Sequence, residues 1–151
     1  MAEKHKFKAP ADLLQEAKAE AKARAALVGP ASLVGNWNAC DAATRSLVRI
    51  VIAASGAGIT VHAYGACTPT PCDWGTVHGL SYAANVGSSE AIAFSAHYKF
   101  SFKETIVTGV LDSGSLIVET FNHFTDGSGR SDYYTKGYFC KGRARPGSKK
   151  K

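Results

Sequence analysis

The sequence predicts an all-β fold, an eight-stranded antiparallel up-and-down β-barrel. Three observations point there. From Ser32 onward, short strand-like runs recur with turn signals between them. The links between the runs are too short for crossover connections, so neighbours in sequence must be neighbours in the sheet. Closing such a meander on itself removes the exposed edges that an open sheet would carry.

The runs are LVGNWNAC, SLVRIVIAA, GITVHAYGAC, DWGTVHGLSYA, AIAFSAHYKFSF, ETIVTGVL, SLIVETFNHFT and SDYYTKGYFCK. The separators DAATR, SGA, TPTPC, NVGSSE, KE, DSG and DGSGR are rich in Gly, Pro, Asp, Asn and Ser, the residues that turn a chain. Alternation is clearest in the fifth run. There Ile92, Phe94, Ala96, Tyr98, Phe100 and Phe102 define one face, and Ser95, His97, Lys99, Ser101 and Lys103 the other.

Two segments flank the predicted barrel (32–141). Between Pro10 and Gly29-Pro30 the stretch ADLLQEAKAEAKARAALV is rich in helix formers, with acids early and bases late as the helix dipole prefers. Its stripe of Leu14, Ala17, Ala21, Ala25 and Val28 is mostly alanine, so residues 1–31 read as a helical arm that gains its stability by lying on something else. Residues 142–151 read as a basic tail.

Charge is distributed unevenly. The formal +6 resolves into +2 for residues 1–31, −2 for 32–140 and +6 for 141–151. A basic end of this kind is either solvated or docked on an acidic partner. The candidate docking residues are Lys141, Arg143, Arg145, Lys149, Lys150 and Lys151 in the tail, with Lys18, Lys22 and Arg24 on the arm. No apolar run reaches the roughly 18 residues of a membrane-spanning helix. The opening residues lack the apolar stretch of a secretory signal. An intracellular, cytoplasmic setting is therefore expected, a cytoskeletal or ciliary one included, with reduced thiols.

Gly35-Asn36-Trp37 resembles the Gly-x-Trp signature of lipocalin-like and avidin-like (calycin) barrels, in which the tryptophan plugs the closed end. Residues 33–140 also resemble a small, largely uncharacterised family of single-barrel domains. That likeness is carried by Cys67, Pro69, Cys72, Asp73, Trp74 and Gly75, and by Val118–Phe121, Phe124, Asp126 and Ser128–Ser131. The resemblance implies the barrel and carries no activity with it.

In an up-and-down barrel successive links alternate between the two ends. The upper end receives residues 41–46, the CTPTPCDWG link, the Phe102–Glu104 turn and the TDGSGRSD loop; the lower end receives SGAG, NVGSSE and DSGS. The lower links are bland. The upper ones supply a candidate binding rim of Asp41, Arg45, Cys67, Cys72, Asp73, Trp74, His123, Asp126, Arg130 and Asp132. A rim Trp74 covers the barrel mouth or stands out as a stacking platform. His62, His78 and His97 fall mid-strand with no carboxylate at matching height.

Strand length governs the cysteine reading. Cys40 falls at the top of the first strand and Cys140 at the bottom of the last, about 25 Å apart for a strand of about eight residues. A Cys40–Cys140 bridge is excluded on that basis, as is a four-cysteine zinc site. The spacing of Cys67 and Cys72 is a poor match to zinc knuckles, even with His123 as a fourth ligand. A reduced, proline-stiffened loop is the favoured reading of CTPTPC, with a short disulfide as the alternative. No metal and no cofactor are expected.

No phosphate loop, dinucleotide turn or HExxH is present, and no spacing selects a nucleophile with its base, so catalysis is not expected. The expected function is a non-catalytic interaction or structural module of a larger assembly. It would dock through arm and tail on an acidic protein surface, such as a tubulin-like lattice, with the loop-built rim at the opposite pole. Nucleic acid is the weaker acidic partner, because no strand interleaves Lys/Arg with aromatics. The alternative is a calycin-like barrel binding a small ligand or carbohydrate, which an apolar cavity above about 300 Å³ would favour.

Overall fold

The computed structural model describes residues 28–56 and 58–142. It contains β1 (Gly35–Ala39), β2 (Leu47–Ser55), β3 (Gly58–Gly65), β4 (Cys72–Ala83), β5 (Ala91–Lys99), β6 (Lys103–Asp112), β7 (Ser115–Phe124) and β8 (Tyr133–Lys141). Every neighbouring pair is antiparallel, and the strands close into a barrel in chain order. The predicted helix, save its last residue Val28, and the tail beyond Gly142 lie outside the described residues. No described helix is long and apolar enough to cross a membrane.

Local chemistry explains the pairing. The β6–β7 hairpin turns through Ser113 and Gly114, both at positive φ (53° and 88°), between paired Asp112 and Ser115. Two consecutive positive-φ residues give a turn whose twist matches the strands it joins, and glycine adopts that conformation without strain. At Gly109 the missing side chain has a packing role. A Cβ there would run into the Phe94 ring, so glycine leaves the space that ring occupies beside the β6 backbone.

The lower half of the barrel is a packed apolar core. Trp37, Phe94, Ile50, Ile52, Ile59, Val61, Val107 and Leu116 are almost fully buried. Each such side chain is worth about 1.5–3 kcal/mol of burial. The chain segment before β1 closes this end. Leu33 is fully buried, and the Trp37 indole N–H donates to its carbonyl at 2.8 Å. Gly29 bonds to the lower β4–β5 loop, donating to Ser89 O (2.6 Å) and accepting from Ala91 N–H (2.9 Å).

Four expectations require correction. Cys40 and Cys140 are disulfide-bonded, with Cα atoms 5.3 Å apart. The estimate that separated them assumed a full-length first strand, whereas β1 has five residues and Cys140 pairs with Asn38, only two positions before Cys40. Cys67 and Cys72 are also bonded, at a Cα distance of 5.5 Å, so the favoured reduced loop is replaced by its alternative. No described cysteine is free.

The third correction concerns strand five. Of the residues read as one face, Phe94, Ala96 and Tyr98 point inward, but Ile92 is 36% exposed. A bulge, where Tyr82 pairs with Ala93 and Ala83 with Ala91, pushes Ile92 out of the ladder. Phe100 and Phe102 belong to the turn after β5, and Lys103, read on the opposite face of the same run, opens β6 and is buried.

The fourth concerns the histidines. His62 contacts Asp73 at 2.6 Å because a bulge in β4 shifts Asp73 opposite Tyr64, two residues beyond His62. His97 reaches Glu104 at 3.3 Å on the diagonal of the β5–β6 ladder.

Candidate functional site

The upper half of the barrel differs from the lower in its interior chemistry. Near the tops of β6, β7 and β8 the inward positions become polar: Lys103, Thr105, Thr120, Asn122 and Thr135. Asn122 organises them. Its Oδ1 accepts from Lys103 Nζ and Thr105 Oγ1, both at 2.8 Å, and its Nδ2 donates to Thr120 Oγ1 (3.1 Å) and the Tyr133 carbonyl (3.3 Å). The Thr120 and Thr135 hydroxyls bond to each other, and Ser46 Oγ donates to Thr135 at 3.2 Å. The result is one connected polar network crossing the barrel from β6 to the β1–β2 loop.

Lys103 sits at one end of this network and is 7% exposed. Its ammonium is surrounded by the rings of Trp74 (5.1 Å), Tyr133 (5.5 Å), Phe100 (5.8 Å) and Phe102 (5.9 Å). Among the described residues no carboxylate lies within ion-pair distance, so ring faces and Asn122 hold the charge. Trp74 packs edge-on against Tyr98 and Phe100. The rings cap the mouth, and Trp74 covers it rather than standing out.

The other end of the network opens sideways. β1 stops at Ala39, while β8 continues upward to Tyr133. An Asx turn then bends the chain away, with Asp41 Oδ1 accepting from Ala43 N–H (3.0 Å) and the Asp41 carbonyl from Thr44 N–H (3.1 Å). The strip above Ala39 is a cleft of about 430 Å³ between the β1–β2 loop and β8. Its walls combine the hydroxyls of Thr44, Ser46, Thr120 and Thr135 with apolar Leu47, Val118 and Phe139. A few placed polar groups over an apolar floor is binding-site chemistry.

The rim residues picked from sequence are where the meander places them, and most of them organise their own loops. Asp126 takes the Ser128 N–H (3.0 Å) and the Arg130 guanidinium (2.7 Å). Ser128, its hydroxyl first, and then Arg130 hold the Asp126 carboxyl down at about 2. Arg130 also lies over Phe124 (4.3 Å) and Phe102 (5.7 Å). Asp132 accepts from Phe124 N–H (2.9 Å) and pairs with His123 (2.8 Å). That hydrogen bond raises the His123 pKa and lowers that of Asp132. Asp73 accepts from Gly75 N–H (2.7 Å), and its pKa is lowered first by His62 and then by that amide. Arg45, Cys67 and Pro71 line a shallow surface hollow. Of the ten rim residues only Asp41 borders the cleft. Of the docking residues only Lys141 is described, at the lower pole with Nζ 5.3 Å from the Trp37 ring; the rest lie outside the described residues.

A second depression, about 570 Å³, lies on the outer wall around His97, Ile106, Phe121, His123 and Tyr134. It is larger and touches Asn122, but its other walls are mostly exposed side chains, whereas the cleft has the inward-facing Leu47, Val118, Thr120, Thr135 and Phe139 in its walls. Comparison with protein-family models, curated proteins and solved structures found no match to this chain.

Sequence reasoning missed Ser46, Lys103, Thr120, Asn122 and Thr135. For the last four the signal was present, as polar residues at inward parity bunched at the upper ends of β6, β7 and β8; Ser46 lies in the β1–β2 loop.

Proposed function

We propose that this chain is a non-catalytic binding module whose recognition site is the upper cleft between the β1–β2 loop and β8. The observation that carries this reading is the cleft itself, an opening with hydroxyl-bearing walls in a barrel whose lower half is packed solid. The three His–carboxylate pairs stand on the outer wall, outside the residues that line the cleft, which favours binding over catalysis. Trp37 plugging the lower end supports kinship with lipocalin- and avidin-like barrels.

The wider role we infer is that of an interaction module in a larger assembly. Its charged end segments would dock on an acidic protein surface while the cleft faces away. Supporting this, the described chain enters at Val28–Gly29 against Ser89–Glu90 and leaves at Lys141–Gly142 beside Asn36 and Trp37, both at the lower pole. Two disulfides fit an oxidising compartment better than the reduced setting the sequence led us to expect.

Gly137 provides the test, because it lines the cleft and a Cβ there would meet only Phe139, at 3.7 Å. Gly137→Phe should fill the cleft without breaking the fold. A ligand-observed NMR screen of small polar fragments is expected to give hits on the native chain that vanish in the variant. Hits that persist unchanged would place binding elsewhere.

A further inference from the structure

We propose that the upper edge of β8 is the docking site for an extended, acidic segment of a partner polypeptide, added to the sheet where β1 has ended. This rests on the reading of the cleft as the binding site and names its occupant.

In an antiparallel ladder alternate residues turn their main-chain groups toward a given neighbour. Cys40 N–H donates to the Tyr138 carbonyl (2.9 Å), and Gly142 N–H donates to the Asn36 carbonyl (2.6 Å). Even-numbered positions of β8 therefore face β1. Above Tyr138 these are Lys136 and Tyr134, and β1 has already left. Among the described residues no hydrogen bond reaches the main chain of either from that side. Unpaired strand groups beside a cleft are a template for strand addition.

The cleft also suits the side chains of such a strand. Alternate residues would point inward, onto Leu47, Val118, Phe139 and the Ser46 and Thr135 hydroxyls, and outward to solvent.

Charge selects the partner. Lys136 is exposed on this edge, and its cross-strand neighbour Glu119 is engaged by the Tyr134 hydroxyl at 2.6 Å. No described carboxylate lies within ion-pair distance of the Lys136 ammonium. An acidic side chain on the incoming strand gains that ammonium as a cross-strand partner. The same lysine opposes a second copy of this chain, because two-fold pairing of β8 edges would bring it toward its own twin.

The probe is a short end-capped peptide alternating valine with glutamate, titrated by NMR against the full chain. It has two controls: the lysine counterpart, and the same acidic peptide methylated at alternate backbone nitrogens. The acidic peptide is expected to shift the amides of Tyr134–Gly137 and to bind at least about tenfold more tightly than either control. Lys136→Glu should reverse the charge preference while retaining the spectrum of a folded barrel. Equal affinity for the methylated peptide, no binding by the acidic one, or a dimer that seals β8 would each overturn the proposal. Peptide failure alongside fragment hits lost on Gly137→Phe sinks the strand addition and leaves the cleft reading standing. Failure of both experiments sinks both.

Discussion

His123 and Asp132 show how a rim residue acquires its properties from one neighbour. Their contact at 2.8 Å is open to solvent, which screens it. Its pH signature is nonetheless definite. The folded pKa of His123 is raised, so its contribution to stability is full below the ordinary imidazole value of about 6.5 and is lost as pH rises through the raised value. Asp132 is lowered, so its contribution is present above about 3.8 and is lost as pH falls through the lowered value. The pair therefore supports the fold most in the window between about 4 and 6.5. An NMR titration of His123 should show a midpoint above 6.5 that falls back in Asp132→Asn. A midpoint indifferent to the substitution would mean the contact is absent in solution. That His123 and Asp132 fall at the same pole was legible, since β7 ends where its link to β8 begins. That they pair was not, because a sequence does not state which loop acid turns back toward the strand.

At the scale of elements, irregularities in the ladder are what the sequence concealed. The meander, its order and its two sets of loops follow from turn chemistry and alternation. The bulge in β4 does not, and it decides the position of Asp73 and Trp74. It also leaves main-chain groups of β3 and β4 without ladder partners, and Tyr98 from β5 supplies them. Its hydroxyl accepts from Ala63 N–H (3.1 Å) and shares its proton between the carbonyls of Val61 (2.9 Å) and Gly75 (2.8 Å). Burial, ahead of other causes, pushes this phenol up to about 12, so it stays protonated and able to donate. Tyr98→Phe keeps the ring and strands these groups, and should cost about 1–3 kcal/mol in denaturant unfolding. A cost near zero would show that water mends the bulge unaided. Similarly, the shortness of β1 is invisible in LVGNWNAC, which reads as a full strand. The chain leaves at Asp41 because the Asx turn competes successfully with further pairing.

For the molecule as a whole, the short β1 has two consequences, one for closure and one for recognition. β1 and β8 pair at three ladder positions, the fewest of any neighbouring pair, with one further main-chain bond beyond each end. Cys40–Cys140 staples that seam across 100 residues of chain. In the chain-entropy view such a link is worth about 4–5 kcal/mol, against about 2 for the five-residue Cys67–Cys72 loop. The paired substitutions to serine should therefore lower stability in that order, measured by denaturant unfolding. Equal losses would mean the seam holds without its staple. Above the staple, the same early departure of β1 leaves an unshared strand edge beside a cleft. Amide hydrogen exchange along β8, followed by NMR on the full chain, tests this most directly. Thr135 and Gly137, turned toward β7, should be protected, while Tyr134 and Lys136 should exchange at least about tenfold faster. Uniform protection along β8 would mean that its upper edge is already covered, and the cleft would then have no free strand to offer.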